Sequence, residues 1–317
     1  MAVASERESV LDTWKLVKPR TAAGGAVWRS RDGTLFKRTG GIEVRDEARF
    51  QRMLAEQGFP VPRIVQTGRG QEGFFFVEQS LGTQSLHDMA IRDTQETGAV
   101  RQTTVDTAAK VSARLLTAQL RTAAPSGKAA DWVRRAGFVD TVFAENPDLD
   151  THRTCTALDT VSTRLSGVPV SFGHLDYGLP NVFPTGVIDW QHHTLVPVGF
   201  DVYPMLDIAA FKGGDRGYIF TRSQRRSYLA ALDEVSENLA GLRLSRFLGD
   251  FLLVKCFFFL ALMRPKDPND RRKQAKWAYR RKLLALGLDS YERDHRIDTA
   301  AFPTLTAFLT DYDRKDG

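Results

Sequence analysis

The sequence predicts an α+β protein in two parts: a small antiparallel β region with one helix over residues 1–80, then a larger, mainly helical region over 81–317. Three observations carry this. Short apolar runs broken by Asp-Gly and Gly-rich turns fill the first eighty residues, helical spacings fill most of the rest, and the composition shifts toward helix formers just after Ser80–Gly82. A chain of 317 residues with 42% apolar and 10% aromatic residues can build the cores this requires.

The elements follow in order. "WKLVKP" reads as a first strand. "GGAVWRS" and "TLFKRT" read as a hairpin around "RDG", whose Asp-Gly pair suits positive backbone angles. From Val44 to Gln57 the positions Ala48, Phe50 or Met53, and Leu54 keep helical spacing, and Gly58 stands where a C-terminal cap belongs. Strands are expected at Ile64–Thr67 and Phe74–Val77, joined by the turn "GRGQEG". Residues 93–120 place Val100, Val105, Ala108, Val111, Leu115 and Leu116 on one face of a long helix. Short strands are confined to about 168–190, and helical patterns resume over 204–212, 222–241, 244–263 and 269–287. There is no repeat and no low-complexity tract.

Composition excludes several classes. The first twenty residues hold no hydrophobic run of signal-peptide length, and "FLGDFLLVKCFFFLALM" (247–263) is interrupted by Asp250 and Lys255 and falls short of the roughly 20 residues of a membrane span. It reads as a buried helix. Cys155 and Cys256 stand far apart with no metal-ligand spacing, which fits reduced thiols in a cytoplasm. The formal charge of +6 is concentrated between Arg264 and Lys282, where nine Lys or Arg accompany two Asp. A basic patch on one amphipathic helix is a thin case for nucleic-acid binding, and a solvated face or a surface for an anionic acceptor or partner is preferred.

The chemistry centres on "FGHLDYGLPNVF" and "GVIDW". Phosphoryl transfer needs a carboxylate to orient or deprotonate the attacking hydroxyl, and oxygen ligands for Mg²⁺. Asp176 suits the first task, Asn181 and Asp189 the second, and the spacing H-x-D-x-x-x-x-N followed by a strand-end aspartate is that of a catalytic loop and its metal ligand. In the β region Lys37 of "TLFKR" suits nucleotide phosphates, Glu47 on the next helix can pair with it, and Gly24 and Gly25 in "TAAGGAVW" let the backbone approach phosphate.

The stretches "LFKR", "EARFQRMLAEQGFPVPRIV", "FFFVEQSLGTQSL", "GHLDYGLPNVF", "GVIDW" and "GFDVYPMLDIA" together resemble the aminoglycoside phosphotransferase family, which shares a protein-kinase-like fold with choline kinases. The resemblance runs from about residue 20 to 210. It implies that Asp176 is the catalytic base, that Asn181 and Asp189 ligate magnesium, and that Lys37 holds the α and β phosphates with Glu47 orienting it. Glu43 stands ready for that pairing if the helix starts earlier. The backbone of Glu78, Gln79 and Ser80 becomes the hinge that binds the adenine edge, and Asp201 and His174 brace the catalytic loop. The family usually carries glycine where Leu175 stands, and its glycine loop is here reduced to "TAAGGAVW".

The function expected is therefore a Mg²⁺-dependent transfer of the γ-phosphate of ATP, or GTP, to a hydroxyl of a small molecule, plausible acceptors being an aminoglycoside-like or other antibiotic. Alternatives are a kinase of a sugar, an amino alcohol or a natural-product intermediate, or a silent kinase-like binding protein. His192, His193, Asp140 and Glu145 are candidates for contact with the acceptor, against a simpler reading as exposed loop residues. The partner expected is the small hydroxylated substrate, with neither nucleic-acid binding nor a membrane span expected, and the protein is expected as a monomer or homodimer.

Overall fold

The computed structural model of the chain describes residues 14–20, 24–70, 73–125, 130–208 and 217–313. They form two compact units. The first is the chain up to His87 together with Pro180–Gln191, and the second is Asp88–Leu179 together with the chain from His192 onward. The turn signals end the first part at residue 80; by contacts, the segment carrying Asn181 and Asp189 belongs with that part as well.

In the first unit the strands β1 (Trp14–Pro19), β2 (Ala26–Ser30), β3 (Leu35–Gly40), β4 (Ile64–Gly70) and β5 (Gly73–Gln79) pair antiparallel in the order β1-β2-β3-β5-β4. The β2–β3 turn falls at the predicted Asp-Gly: Gly33 takes φ +73°, and the Asp32 carboxylate accepts the Ser30 hydroxyl at 2.6 Å and the Thr34 N–H at 3.0 Å. Residues 71–72, at the centre of the predicted "GRGQEG" turn, lie outside the described residues, as do 21–23 of "TAAGGAVW". The helix α1 (Ile42–Glu56) buries Val44 and Ala48 against Phe76, with Ile64 and Phe74 at the margin. It stops as its spacing predicts, at Gly58 with φ +82°.

Four short strands follow in the sequence: β6 (Val170–Gly173), β7 (Val182–Phe183), β8 (Gly186–Val187) and β9 (Thr194–Pro197), with β6 paired to β9 and β7 to β8. The β7–β8 hairpin is fastened within the first unit by the Val187 N–H, which donates to the Pro60 carbonyl at 2.7 Å, and by the Thr185 hydroxyl, which donates to the Leu81 carbonyl at 2.7 Å. Trp190 meets Phe59 edge to face at 5.8 Å.

The second unit is helical: α2 (Leu86–Thr97), α3 (Gln102–Thr122), α4 (Ala130–Gly137), α5 (Val139–Glu145), α6 (His152–Arg164), α7 (Arg222–Ala240), α8 (Leu248–Leu262), α9 (Arg271–Asp294) and α10 (Leu305–Asp313). The helix predicted over 93–120 is two. The chain breaks at Gly98, φ +77°, and the buried Asp93 carboxylate near the end of α2 accepts the Arg101 N–H at 3.1 Å and the Thr104 hydroxyl at 2.5 Å, capping α3 from outside. Over the predicted helix 204–212, residues up to 207 run in turns, and 209–212 lie outside the described residues. Helices α4, α5, α6 and α10 are not among the elements that periodicity predicts.

α8 is apolar around its whole circumference and buried from Gly249 to Leu260, as a helix with no polar face must be. Among the described residues no helix is long and apolar enough to cross a membrane. The two charged residues of α8 are both satisfied. The fully buried Asp250 accepts the Arg164 Nε–H at 2.9 Å and the Tyr291 hydroxyl at 2.5 Å, tying α6, α8 and α9 together.

Gly25 has φ +129°, and a Cβ there would stand 2.1 Å from the Thr39 carbonyl oxygen, whereas Gly24, at φ +55°, has nothing within 4 Å. Gly25→Ala is therefore expected to lower unfolding stability by at least about 2 kcal/mol, and Gly24→Ala by about 1 kcal/mol. Urea midpoints of the two variants check the order, and equal losses would contradict it.

Candidate functional site

Neighbouring residues of a strand point to opposite faces of the sheet, so only one of Lys37 and Arg38 can share the face of α1. Pairing decides which. Arg38 sits opposite Phe76, whose ring packs on Val44 and Ala48 of α1. The buried Arg38 donates from Nε to Glu78 at 2.8 Å and from Nη1 to Glu47 at 3.1 Å, with Asp189 3.9 Å away. The Lys37 ammonium lies 4.8 Å from the centroid of the Phe75 ring, on the other face. The expected pair of Lys37 with Glu47 is thus replaced by Arg38 with Glu47, one residue along. Glu43 is exposed and takes no part.

Glu47 also accepts Arg20 Nη2 at 2.7 Å, and Glu78 accepts Gln51 Nε2 at 2.7 Å. Gln51 reaches the Pro62 carbonyl at 2.9 Å as well, so α1, β3, β5 and the approach to β4 share one polar cluster. Burial alone would lower the Arg38 pKa; Glu78, Glu47 and Asp189 outweigh it and raise the guanidinium above its ordinary value. Arg38 is a permanent cation whose planar fork reaches two carboxylates at once, which a lysine ammonium on the same strand has no matching geometry to do.

The β7–β8 hairpin carries the two expected oxygen donors, Asn181 and Asp189, at its ends. With Val182 opposite Val187 and the Ile188 N–H donating to the Asn181 carbonyl at 3.0 Å, Asn181 and Asp189 flank its open end. Asp189 takes φ +68°, a left-handed conformation in which an aspartate is tolerated at some cost. Its carboxylate lies 4.0 Å from Lys18 Nζ and 3.9 Å from Arg38 Nη1. Among the described residues no three His, Cys, Asp or Glu side chains gather as a metal site. Magnesium does not need such a cage: one or two carboxylate or amide oxygens with phosphate and water suffice, and Asn181 and Asp189 are oxygen donors of that kind.

The Gln79 N–H donates to the Arg63 carbonyl at 2.9 Å and the Ser80 N–H to the Thr34 carbonyl at 2.8 Å, while the Glu78 side chain lies inside the Arg38 cluster. In the expected hinge the N–H groups of Gln79 and Ser80 are thus bonded to residues that lead into β4 and β3, and β5 itself ends at Gln79. Gly25 likewise answers to the close Thr39 carbonyl as much as to any phosphate.

In the second unit His174, Leu175 and Asp176 lie between β6 and the end of that unit's first segment. The fully buried Asp201 accepts the His174 N–H through Oδ2 at 2.6 Å and Lys255 Nζ through Oδ1 at 2.8 Å. Lys255, also fully buried, donates to the Leu175 carbonyl at 2.5 Å. Leu175 itself has φ +61°, and the Asp176 N–H bonds back to the His174 carbonyl at 2.8 Å. This is a γ-turn of the strained hand, costing a non-glycine residue about 1–2 kcal/mol, and it explains why glycine suits the position. Leu175 offsets the strain by burying its side chain to 2% exposure. Sequence reasoning missed Arg38, Arg20 and Lys255. Lys255 alone had a visible signal, a charge inside an otherwise continuous apolar helix that demanded a partner.

The acceptor candidates are largely occupied. Asp140 pairs with Arg134, Glu145 with Arg264, and Asp148 with Arg281 at 2.5 Å. The acidic stretch 140–150 and the basic segment 264–282 thus meet and neutralise each other in part, where along the chain they are separate features. His192 is half-buried with its ring 6.4 Å from that of Phe258, and His193 is exposed.

Comparison with known proteins bears on the family and the fold. No curated protein matches the chain. Among solved structures, a Ralstonia eutropha protein provisionally named an aminoglycoside phosphotransferase is similar over 88% of this chain and 92% of its own at 15% identity and TM-score 0.58. The microcompartment-associated aminopropanol kinase is similar over 93% and 99% at 13% identity and TM-score 0.53. These likenesses show a protein-kinase-like fold. A family model described as the phosphotransferase enzyme family, APH, matches residues 36–244, from β3 to just past α7, so the chain belongs to that family of phosphotransferases.

Proposed function

We propose that this phosphotransferase moves the γ-phosphate of ATP or GTP to a hydroxyl of a small molecule, with Mg²⁺ as its cofactor, and works in the cytoplasm with both cysteines reduced. The observation that carries the reading is the buried Arg38, oriented by Glu47 and Glu78 and facing Asp189 at 3.9 Å. A fixed cation beside a carboxylate suited to metal is what a nucleotide triphosphate tail requires. Arg38 takes the phosphate-holding role first expected of Lys37. Arg20, whose Nη1 is buried without a hydrogen-bond partner among the described residues, adds a second cation beside Glu47.

Asn181 and Asp189 would hold the magnesium ion through their side-chain oxygens, and the ion would supply positive charge against the phosphates. Asp176 accepts the proton of the acceptor hydroxyl or aligns it for attack. Asp201 and His174 keep the loop that carries Asp176 in place.

The acceptor is a hydroxylated small molecule. Because Asp140, Glu145 and Asp148 are already paired with arginines, the acidic stretch supplies little free negative charge for a polycationic antibiotic. Purified protein with Mg²⁺ and ATP or GTP, offered aminoglycosides, amino alcohols, sugars and peptide antibiotics in turn, identifies the class by acceptor-stimulated ADP or GDP release.

Two outcomes are expected in that assay. Arg38→Ala lowers kcat/KM for nucleotide by about 10²-fold or more, while Lys37→Ala stays within about threefold; the reverse order would return the phosphate role to Lys37. Asp176→Asn lowers kcat by about 10²- to 10⁴-fold while calorimetry shows unchanged nucleotide affinity. Full turnover in that variant would remove Asp176 from the reaction.

A further inference from the structure

The Lys255 ammonium is fully buried in the middle of α8, and one carboxylate, Asp201 at 2.8 Å, satisfies its charge. It nevertheless directs a second donor to the Leu175 carbonyl at 2.5 Å and lies 4.1 Å from the centroid of the Phe200 ring. That carbonyl belongs to the same planar peptide as the Asp176 N–H, because the C=O of one residue and the N–H of the next are one rigid unit. The N–H end of this plane is fixed by its bond to the His174 carbonyl at 2.8 Å, and the C=O end by Lys255. The backbone just before the turn is held in turn by Asp201, which accepts the His174 N–H at 2.6 Å. Asp201 and Lys255 therefore close a ring around the left-handed turn at Leu175, gripping it from both sides.

We propose that Lys255 is a positioning residue for phosphoryl transfer: by holding the Leu175 carbonyl it maintains the strained turn that sets the direction in which the Asp176 side chain leaves the backbone. The inference rests on the reading of Asp176 as the group that orients the acceptor hydroxyl. A glycine in place of Leu175 would adopt the same left-handed angle without penalty, so the need for Lys255 belongs to a chain that carries leucine there.

Removing the lysine alone would strand the Asp201 carboxylate in the interior, so the informative variant is neutral: Asp201→Asn with Lys255→Met, which keeps an acceptor for the His174 N–H while removing the ion pair together with the grip on Leu175, and the Leu175→Gly background then separates the two losses. The full-length protein is assayed with Mg²⁺ and ATP by ADP release and by nucleotide affinity. Hydrogen exchange is followed at the Asp176 amide and along α8. The expected result is a kcat at least about tenfold lower, nucleotide affinity within about twofold, and faster exchange at Asp176 with α8 still protected. Adding Leu175→Gly to the pair should bring kcat to within about threefold of Leu175→Gly alone. Unchanged exchange at Asp176, or an equal loss of kcat in the Leu175→Gly background, overturns the proposal. Asp176→Asn in the same assay separates the two readings: if it retains full turnover the assignment of Asp176 fails, while the exchange data still decide whether Lys255 holds the turn.

Discussion

The first unit depends on a single guanidinium being held inside it. Arg38 is buried, and a buried cation is tolerable only when its desolvation is offset by well-placed partners. Glu78 and Glu47 supply them at 2.8 and 3.1 Å, one from β5 and one from α1. The consequence is mechanical as well as electrostatic. α1 cannot rotate or slide without exposing a carboxylate to a low-dielectric interior, so the apolar contact of Val44 and Ala48 with Phe76 is reinforced by a polar one of fixed register. Gln51, one turn beyond Glu47, completes the lock by bonding both Glu78 and the Pro62 carbonyl.

The second unit uses the same physics for a different purpose. Asp201 and Lys255 are buried charges too, but each has a further bond to backbone, His174 N–H on one side and Leu175 C=O on the other. A hydrophobic pair of equal volume would fill the space, and such replacements are often neutral or stabilising. It would have nothing to say about the direction of a peptide plane. Tyr177, next to Asp176, shows the same economy: its hydroxyl bonds Ser112 of α3 at 2.9 Å, and burial raises its pKa well above the ordinary value. The loop is thus specified by polar contacts at each step while its side chains supply the apolar packing.

These pairs also explain what was legible in the sequence. The hairpin, α1 with its glycine stop, and the buried α8 were readable because each follows from local spacing and turn chemistry. The residues His174, Asp176, Asn181 and Asp189 stood out as a candidate set by their spacing alone. What was not readable was facing. Lys37 and Arg38 are adjacent cations, and a strand pattern such as "LFKRT" has no clean alternation of apolar and polar residues to show which one faces the helix; a shift of one residue reverses every side chain. The run "FFFVE" of β5 is apolar on both faces and gives no help. Only the pairing of Arg38 with Phe76 decides it. The break between α2 and α3 was hidden for a related reason, since Asp93 bonds the Arg101 N–H at the start of the next helix and no periodicity records that bond.

The acidic and basic segments illustrate the limit of reading charge without place. Taken along the chain, residues 140–150 look like a cradle for a cationic acceptor and residues 264–282 like a patch for an anionic one. In the fold Arg264 and Arg281 reach Glu145 and Asp148, and Arg281 also donates to Asn146, so part of each segment is the other's counterion. Such exposed pairs add little stability, roughly 0–1 kcal/mol each, but they reduce the net field that would have steered a charged ligand to either segment. On the proposed reading, selection of a hydroxylated acceptor then falls to shape and to hydrogen bonds near the hydroxyl, not to bulk charge. That reading places the burden on how rigidly the loop around Asp176 is held, and the bonds of the buried Asp201 and Lys255 to the His174 N–H and the Leu175 carbonyl are what the fold supplies for it.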